Sequence, residues 1–392
     1  MCMLMIDATY GVDEMKSYAP KALMKICGHS MYQYAVDAAS RAGISEYVII
    51  GKPDDFTEDT TCYESVEKAV SSTNADVYLY MHADMPFVQS ESIESMMEYQ
   101  KASQSGVVAL YQIDETGDEC FANMALLSRE KLVGETDVNL VIKKAEKEEA
   151  LIKAYSESDE ETFCVCDKCD LAMAESIMRS LINERFMLSG VTMIDPSTAY
   201  IASDVTIGKD TVIYPNVILE SGTVIGERVS VGANTTIHNS TIGDDCNILS
   251  SVILDSQIKH GTRLGPFAYI RPNSFIGPNA KIGDFVEVKN STIGEKTSVS
   301  HLTYIGDSDV GSHINFGCGC VTVNYDGKNK YRCNIGDNSF IGCNTNLVAP
   351  VTVGKGAYIA AGSTITDEVP EDALSIARAR QVNKTGWKDK RK

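Results

Sequence analysis

The sequence predicts two domains of different class, an open α/β sheet followed by an all-β parallel helix built from hexapeptide repeats. Three observations carry this. Across residues 201–370 an aliphatic residue recurs every six positions. Across residues 1–111 short apolar runs alternate with amphipathic stretches. At 392 residues the chain is also longer than one ordinary domain.

The elements follow in order. Residues 1–6 form an apolar run suited to a buried strand, and 47–50, 77–81 and 107–111 are further strands. Residues 31–42, 66–71 and 92–104 carry helical periodicity between them. Such alternation predicts a largely parallel sheet whose ligands sit at the carboxyl ends of the strands, where loops 7–21 and 82–86 fall. Residues 112–170 show no clear pattern, and their charge-rich parts, 143–149 and 157–161, read as solvated surface. Residues 171–185 read as a helix leaving the domain. The expected divisions are 1–170 for the α/β domain, 171–200 for a linker helix and connection, 201–370 for the repeats and 371–392 for a basic tail.

The repeat begins Ile207, Ile213, Leu219, Ile225, Val231, Ile237, slips by one, and resumes at Ile242, Ile248, Leu254. A second series runs Leu264, Ile270, Ile276, Ile282, Val288, and a third Ile335, Ile341, Leu347, Val353, Ile359, Ile365. A stride of six fits neither a helix nor an alternating strand. It fits a coil of three short strands with the aliphatic residue pointing inward. Between Phe316 and Ile335 the rhythm breaks at Asn324-Tyr-Asp-Gly-Lys-Asn-Lys-Tyr331, which is too polar to line a coil and is expected to protrude.

The net charge of −19 argues against nucleic acid and against an anionic membrane surface as partners. No apolar run approaches a membrane span and no signal-peptide pattern opens the chain, so a cytoplasmic protein with free thiols is expected. Cys164, Cys166 and Cys169 lack a second ligand pair at zinc-site spacing and read as ordinary thiols.

Against this acidic background Arg271 and Lys289 stand out. Each follows an inward residue, Ile270 and Val288, and they are one coil apart. Stacked strands lie about 4.8 Å apart. Like charges so close repel by about 1 kcal/mol or more. A bridging phosphate removes that repulsion; two unrelated, water-screened cations are the plain alternative. His301 and Tyr304, in the run Ser300-His-Leu-Thr-Tyr-Ile-Gly306, fall near them, and a neutral imidazole is suited to general-base work near pH 7. A lone histidine is, however, more often a surface or satisfied core residue. A zinc-dependent coil enzyme would need three converging histidines; His238, His260, His301 and His313 share no column.

Several strings closely resemble the acetyltransferase half of bacterial bifunctional N-acetylglucosamine-1-phosphate uridylyltransferase/glucosamine-1-phosphate N-acetyltransferases. They are Arg271-Pro-Asn, Phe285-Val-Glu-Val-Lys289, His301-Leu-Thr-Tyr304, Asn315, Asn324-Tyr-Asp-Gly-Lys-Asn-Lys330, Leu347-Val-Ala-Pro-Val-Thr-Val-Gly-Lys-Gly356 and Ile359-Ala-Ala-Gly362. The resemblance runs from about residue 188 to Trp387. It implies a left-handed coil, a homotrimer, and acetyl-CoA and glucosamine 1-phosphate as substrates. It implies His301 as general base, Arg271 and Lys289 on the sugar phosphate, and Tyr304, Asn315 and Lys330 on the acceptor sugar. Asn324, Tyr325, Ala361 and Arg378 are implied to contact acetyl-CoA, together with Cys318 and Cys343. The family usually carries Ala and Ser at those last two positions, and a thiol is a poor substitute for a hydroxyl.

The N-terminal part resembles the family's nucleotidyltransferase-like, Rossmann-like domain more faintly. Pro20-Lys21 fits, as does His82-Ala-Asp84-Met-Pro86, where the family carries a metal-binding Asp. Asp167 falls near the second metal position. The early loop departs: both of the family's matching glycines are missing, Gly11 being the one glycine left, and Glu14 replaces a cation beside the acidic Asp7 and Asp13. Reversing that charge changes phosphate stabilisation by several kcal/mol, about 4 for each term at 4 Å and an effective dielectric near 20. Uridylyl transfer is therefore expected to be lost or weak, with Mg2+ needed only if that domain is active. The competing readings are a fully bifunctional enzyme and a non-catalytic trimeric scaffold.

Overall fold

The computed structural model describes residues 1–10, 14–57, 60–114, 116–156 and 158–388. Gly11 and Asp13 of the early loop, residue 157 of the charge-rich part 157–161 and residues 389–392 of the tail lie outside the described residues. The chain divides into two compact units, Met1–Met178 and Arg179–Lys392.

The first unit contains β1 (Cys2–Asp7), β2 (Lys25–Ile26), β3 (His29–Ser30), α1 (Met31–Arg41), β4 (Tyr47–Ile50), β5 (Cys62–Tyr63), α2 (Val66–Ser72), β6 (Val77–His82), α3 (Ser90–Ser103), β7 (Val107–Ile113), β8 (Glu119–Ser128), α4 (Arg129–Leu132), α5 (Val138–Lys147) and β9 (Leu151–Tyr155). α6 (Lys168–Leu188) spans the division between units. The main sheet has the order β5-β4-β1-β6-β8-β7-β9.

Strand alternation sends successive side chains to opposite faces, and both faces are covered. Leu4, Ile6, Leu79 and Met81 pack against Ala35 and Ala38 of α1 and Ile93 and Met96 of α3. Met3, Met5, Tyr78 and Tyr80 pack against Val66 and Ala69 of α2 and Val141 and Ile142 of α5. The expectation of a largely parallel sheet needs one amendment. β8 lies between β6 and β7 and runs antiparallel to both. Its inner stretch is buried on both faces, so it lacks the polar alternation that marks a strand in sequence.

The second unit is a parallel β-helix. Its three faces are sheets of 11, 10 and 9 short strands. Each strand but the last of its face pairs in parallel with the strand one coil further on, as in Ile270↔Val288 and Val288↔Ile305. The inward residues are essentially fully buried, Ile270, Ile276, Ile282 and Val288 all at 0% exposure. One of the expected inward residues is wrong. Ile253, at 0% exposure, fills the prism where Leu254 was expected. The rung before it is one residue shorter, so the stride slips a second time.

The corners use left-handed backbone, mostly at Asn or Asp such as Asn216, Asn234 and Asn273, whose short polar side chains tolerate it. At Phe267, Phe285 and Leu302 that conformation is held by bulky apolar residues, with φ of 58°, 55° and 46°. All three are exposed, and the two phenylalanine rings stack at 5.4 Å. The polar stretch after Val323 leaves the coil as expected. Tyr325 and Lys330 pair across its base, and Asp326 Oδ1 accepts from the amides of Lys328 and Asn329 at 2.7 Å each. Among the described residues no helix is long and apolar enough to cross a membrane, and the twelve cysteines form no disulfide.

Candidate active site

The coil register puts Arg271 and Lys289 in one column, since Ile270 pairs with Val288 and the amide of Arg271 donates to the Val288 carbonyl at 2.8 Å. Lys330, at the root of the protruding loop, joins them. The Lys289 ammonium is pushed below the usual lysine range, first by the close Lys330 ammonium, then by desolvation, with Arg271 adding to it. Lys330 and Arg271 thus both stand near the Lys289 ammonium.

Two carboxylates hold this cluster together. Arg271 Nη1 donates to Glu287 Oε1 at 2.8 Å, and Lys289 Nζ lies 3.8 Å from Asp307 Oδ2. Burial would raise the Asp307 carboxyl, but hydrogen bonds from Asn290 and Asn324, with Lys289 and Lys330, hold it below the ordinary range. The contribution of Asp307 to folding is thus present at neutral pH and lost as pH falls below the normal carboxylate range. Asn324 also lies 3.4 Å from the Tyr304 hydroxyl. Its amide ties the loop root to the coil, and its side chain is buried there.

His301 stands one coil further on than Lys289, on the neighbouring face, and is more than half exposed. Its Nδ1 is 2.6 Å from Asp284 Oδ1. Asn315 stands in the next coil, in register with Ser298. Beside His301, whose carbonyl accepts from Gly319 N at 3.4 Å, runs a second column. The Cys318 carbonyl accepts from Asn344 N and the Cys343 carbonyl from Gly362 N, both at 2.8 Å, so Cys318, Cys343 and Ala361 stack on successive coils. The Arg378 side chain crosses Gly362 at the end of this column. Tyr325 projects from the loop, 56% exposed.

Sequence reasoning missed Asp284, Glu287, Asn290 and Asp307. Each faces outward, and outward positions carry no periodic signal. The available signal was the coil spacing itself: Asp284 precedes His301 by 17 residues.

In the first unit, Lys21 Nζ binds Asp84 Oδ2 at 2.5 Å, with both residues buried. This pair lies at the carboxyl end of the sheet. Asp7 accepts there from the Tyr80 hydroxyl at 2.7 Å, and the Tyr10 ring stacks on His82 at 4.2 Å. Tyr10 also accepts from Asn139 Nδ2 at 3.1 Å. Neither contact was foreseeable from residues so far apart in the chain. Asp84 Oδ1 is buried and has no hydrogen-bond partner among the described residues. Such an oxygen fits a Mg2+ ion, which takes one or two carboxylates and completes its shell with water and phosphate. Asp167 is brought near by the bond from Val165 N to the Asp84 carbonyl. Its Oδ1, however, caps α6 by accepting from Cys169 N and Asp170 N. Among the described residues there is no group of three or more metal-binding side chains, the Cys164, Cys166 and Cys169 thiols included.

An α/β sheet with a lysine–aspartate pair at its strand ends, joined to a coil carrying a cation column and a histidine, defines a two-domain transferase. The model of the MobA-like NTP transferase domain matches residues 14–157. That of the bacterial transferase hexapeptide (six repeats) matches residues 204–239 and 332–367, the signature of a left-handed parallel β-helix. "Bifunctional protein GlmU" of Clostridium kluyveri is 41% identical over 98% of this chain and 98% of its own length. The protein of that name from Clostridium beijerinckii is 40% identical over 100% and 98%, and that from a Geobacillus species 39% over 96% and 95%. The chain belongs to the GlmU family. It is an enzyme, a glucosamine-1-phosphate N-acetyltransferase that also carries a nucleotidyltransferase domain. The likeness extends through both domains, further than the matching strings alone reach.

Proposed function

We propose that the second unit transfers acetyl from acetyl-CoA to the amine of glucosamine 1-phosphate, giving N-acetylglucosamine 1-phosphate for UDP-N-acetylglucosamine synthesis. The observation that carries this is the grouping of Arg271, Lys289 and Lys330 on the face next to that of His301, one coil from it. The sugar phosphate, a dianion, is drawn to these cations and so fixes the acceptor. Tyr304, Asn315 and Lys330 face the sugar. His301 Nε2 takes a proton from the substrate ammonium, the freed amine attacks the thioester carbonyl, and the tetrahedral intermediate expels the CoA thiolate. Asn324, Tyr325, Ala361, Arg378, Cys318 and Cys343 line the coenzyme side. The test is release of free CoA thiol on mixing the protein with both substrates; no release would end this reading.

The two thiols on the coenzyme side supply a finer check. A hydroxyl at position 343 makes the stronger hydrogen bond. Cys343→Ser is expected to lower the KM for acetyl-CoA by about two- to tenfold, the worth of one neutral hydrogen bond. Initial rates at varied acetyl-CoA measure it, and an unchanged KM removes Cys343 from the coenzyme contacts.

A homotrimer completes the proposal. The strained, exposed ridge of Phe267, Phe285 and Leu302 supports it, because bulky residues hold left-handed backbone only where packing compensates. Sedimentation is expected to give three times the 42.6 kDa chain mass. An active single chain would refute it. The same reading places the enzyme in the cytoplasm.

A second reading concerns the first unit. The expectation of lost or weak uridylyl transfer rested on Glu14 and the missing glycines. Full-length similarity to relatives named bifunctional favours the alternative, that this unit transfers the uridylyl group of UTP to N-acetylglucosamine 1-phosphate. The buried Lys21–Asp84 pair and the open Asp84 Oδ1 support it. Asp84 would hold Mg2+, which would supply charge neutralisation for the phosphates, and Lys21 orients Asp84. Pyrophosphate release from UTP, N-acetylglucosamine 1-phosphate and Mg2+ is expected at a rate comparable to acetyl transfer. A rate about a thousandfold lower, the effect of about 4 kcal/mol, would restore the loop-based expectation.

A further inference from the structure

We propose that Asp284 is the positioning residue for His301, holding its imidazole in the tautomer and orientation that leave Nε2 free to take the acceptor's proton. The inference rests on the reading of His301 as the base for acetyl transfer.

The contact is built by the coil and is not a chance meeting of two long side chains. Asp284 and His301 are Cα partners on adjacent rungs, and the amide of Leu302 donates to the Asp284 carbonyl at 3.0 Å. The rungs lie close here, as at other glycines of the coil. A Cβ on Gly283 would lie 2.0 Å from the Ser300 carbonyl oxygen, so only glycine fits beside Asp284. Two short, stiff side chains thus leave neighbouring backbone positions in the same direction and meet at 2.6 Å, Nδ1 to Oδ1.

The chemistry of the pair follows from donor and acceptor roles. The bond to His301 comes first among the causes that hold the Asp284 carboxyl below its usual range, so it is ionised near neutral pH. An ionised carboxylate only accepts. Nδ1 must therefore carry the hydrogen, and the lone pair stands on Nε2, which among the described residues has no hydrogen-bond partner. When Nε2 takes a proton, the imidazolium is stabilised by the carboxylate it already touches, and no reorganisation is needed. A carboxylate orienting a histidine in this way is known to matter to proton transfer on unrelated folds.

The test compares Asp284→Ala and Asp284→Asn with the unaltered trimer. Asp284→Ala is expected to lower kcat about ten- to a hundredfold, by analogy with the carboxylates that orient metal-bound histidines. The KM values for both substrates and the thermal midpoint stay unchanged. Asp284→Asn, which keeps an acceptor oxygen in place, recovers part of the loss. Nitrogen NMR of histidine-labelled protein gives a readout independent of turnover. The His301 ring is expected to be protonated at Nδ1 in the unaltered chain and to become a mixture of tautomers in Asp284→Ala. Normal kcat in Asp284→Ala while His301→Ala is inactive would overturn the proposal and leave the acetyl-transfer reading intact. An unaltered protein that transfers no acetyl would overturn that reading, while the NMR comparison would still decide whether Asp284 sets the tautomer.

Discussion

Replacing His301 with alanine is expected to reduce the turnover of acetyl transfer by about a hundredfold or more, the contribution of a well-placed general base. The amine of the acceptor is protonated near neutral pH and cannot attack until it loses that proton. Water does this slowly, and the carboxylate beside His301, that of Asp284, is already engaged by it. The effect should fall on kcat, because the half-exposed imidazole holds neither the phosphate nor the coil together. Sedimentation and thermal unfolding check that the assembly persists. Unaltered turnover would remove His301 from the mechanism.

Lys289→Ala is expected to raise the KM for glucosamine 1-phosphate by about ten- to a hundredfold, with little change in the KM for acetyl-CoA. A hydrogen bond between ionised groups is worth about 1.5–3 kcal/mol, and each 1.4 kcal/mol is a factor of ten. The fold should tolerate the change, since Asp307 keeps its hydrogen bonds from Asn290 and Asn324. Arg271→Ala should act in the same direction. There Glu287 loses its partner, but it is about one-third exposed and can turn to water. Initial rates against each substrate in turn separate the possibilities. An equal loss against both substrates would mean that the cations support the coil and do not receive the phosphate.

The cation column was legible because a hexad repeat converts sequence distance into spatial distance. Once Ile270 and Val288 are inward, the residues after them must stack. The same conversion fails wherever a rung is short, which is why Leu254 was taken for Ile253. It also says nothing about which outward residues are acidic, so Glu287 and Asp307 emerged only from side-chain geometry. In the first unit the early strands and helices were visible from their apolar periods. β8 was not, because a strand covered on both faces looks like any short apolar run. The meeting of Asp7 with Tyr80 and of Tyr10 with His82 depends on loops that converge only after the sheet has formed.

The loop after Val323 adds residues to one corner, yet the ladders continue past it. Ser308 pairs with Cys333 across the insertion, while Phe316 pairs with Ile341 and Thr322 with Leu347 on the other faces. Each coil depends only on its neighbours, and lengthening a closed loop adds little entropy cost. Scaffold and specificity are thereby uncoupled in heredity. A lineage can lengthen, shorten or rewrite the segment that meets the substrate without altering a single rung, and a change that ruins recognition need not harm folding. The corner serves as a graft site, where new chemistry can be tried on a frame whose stability is settled elsewhere.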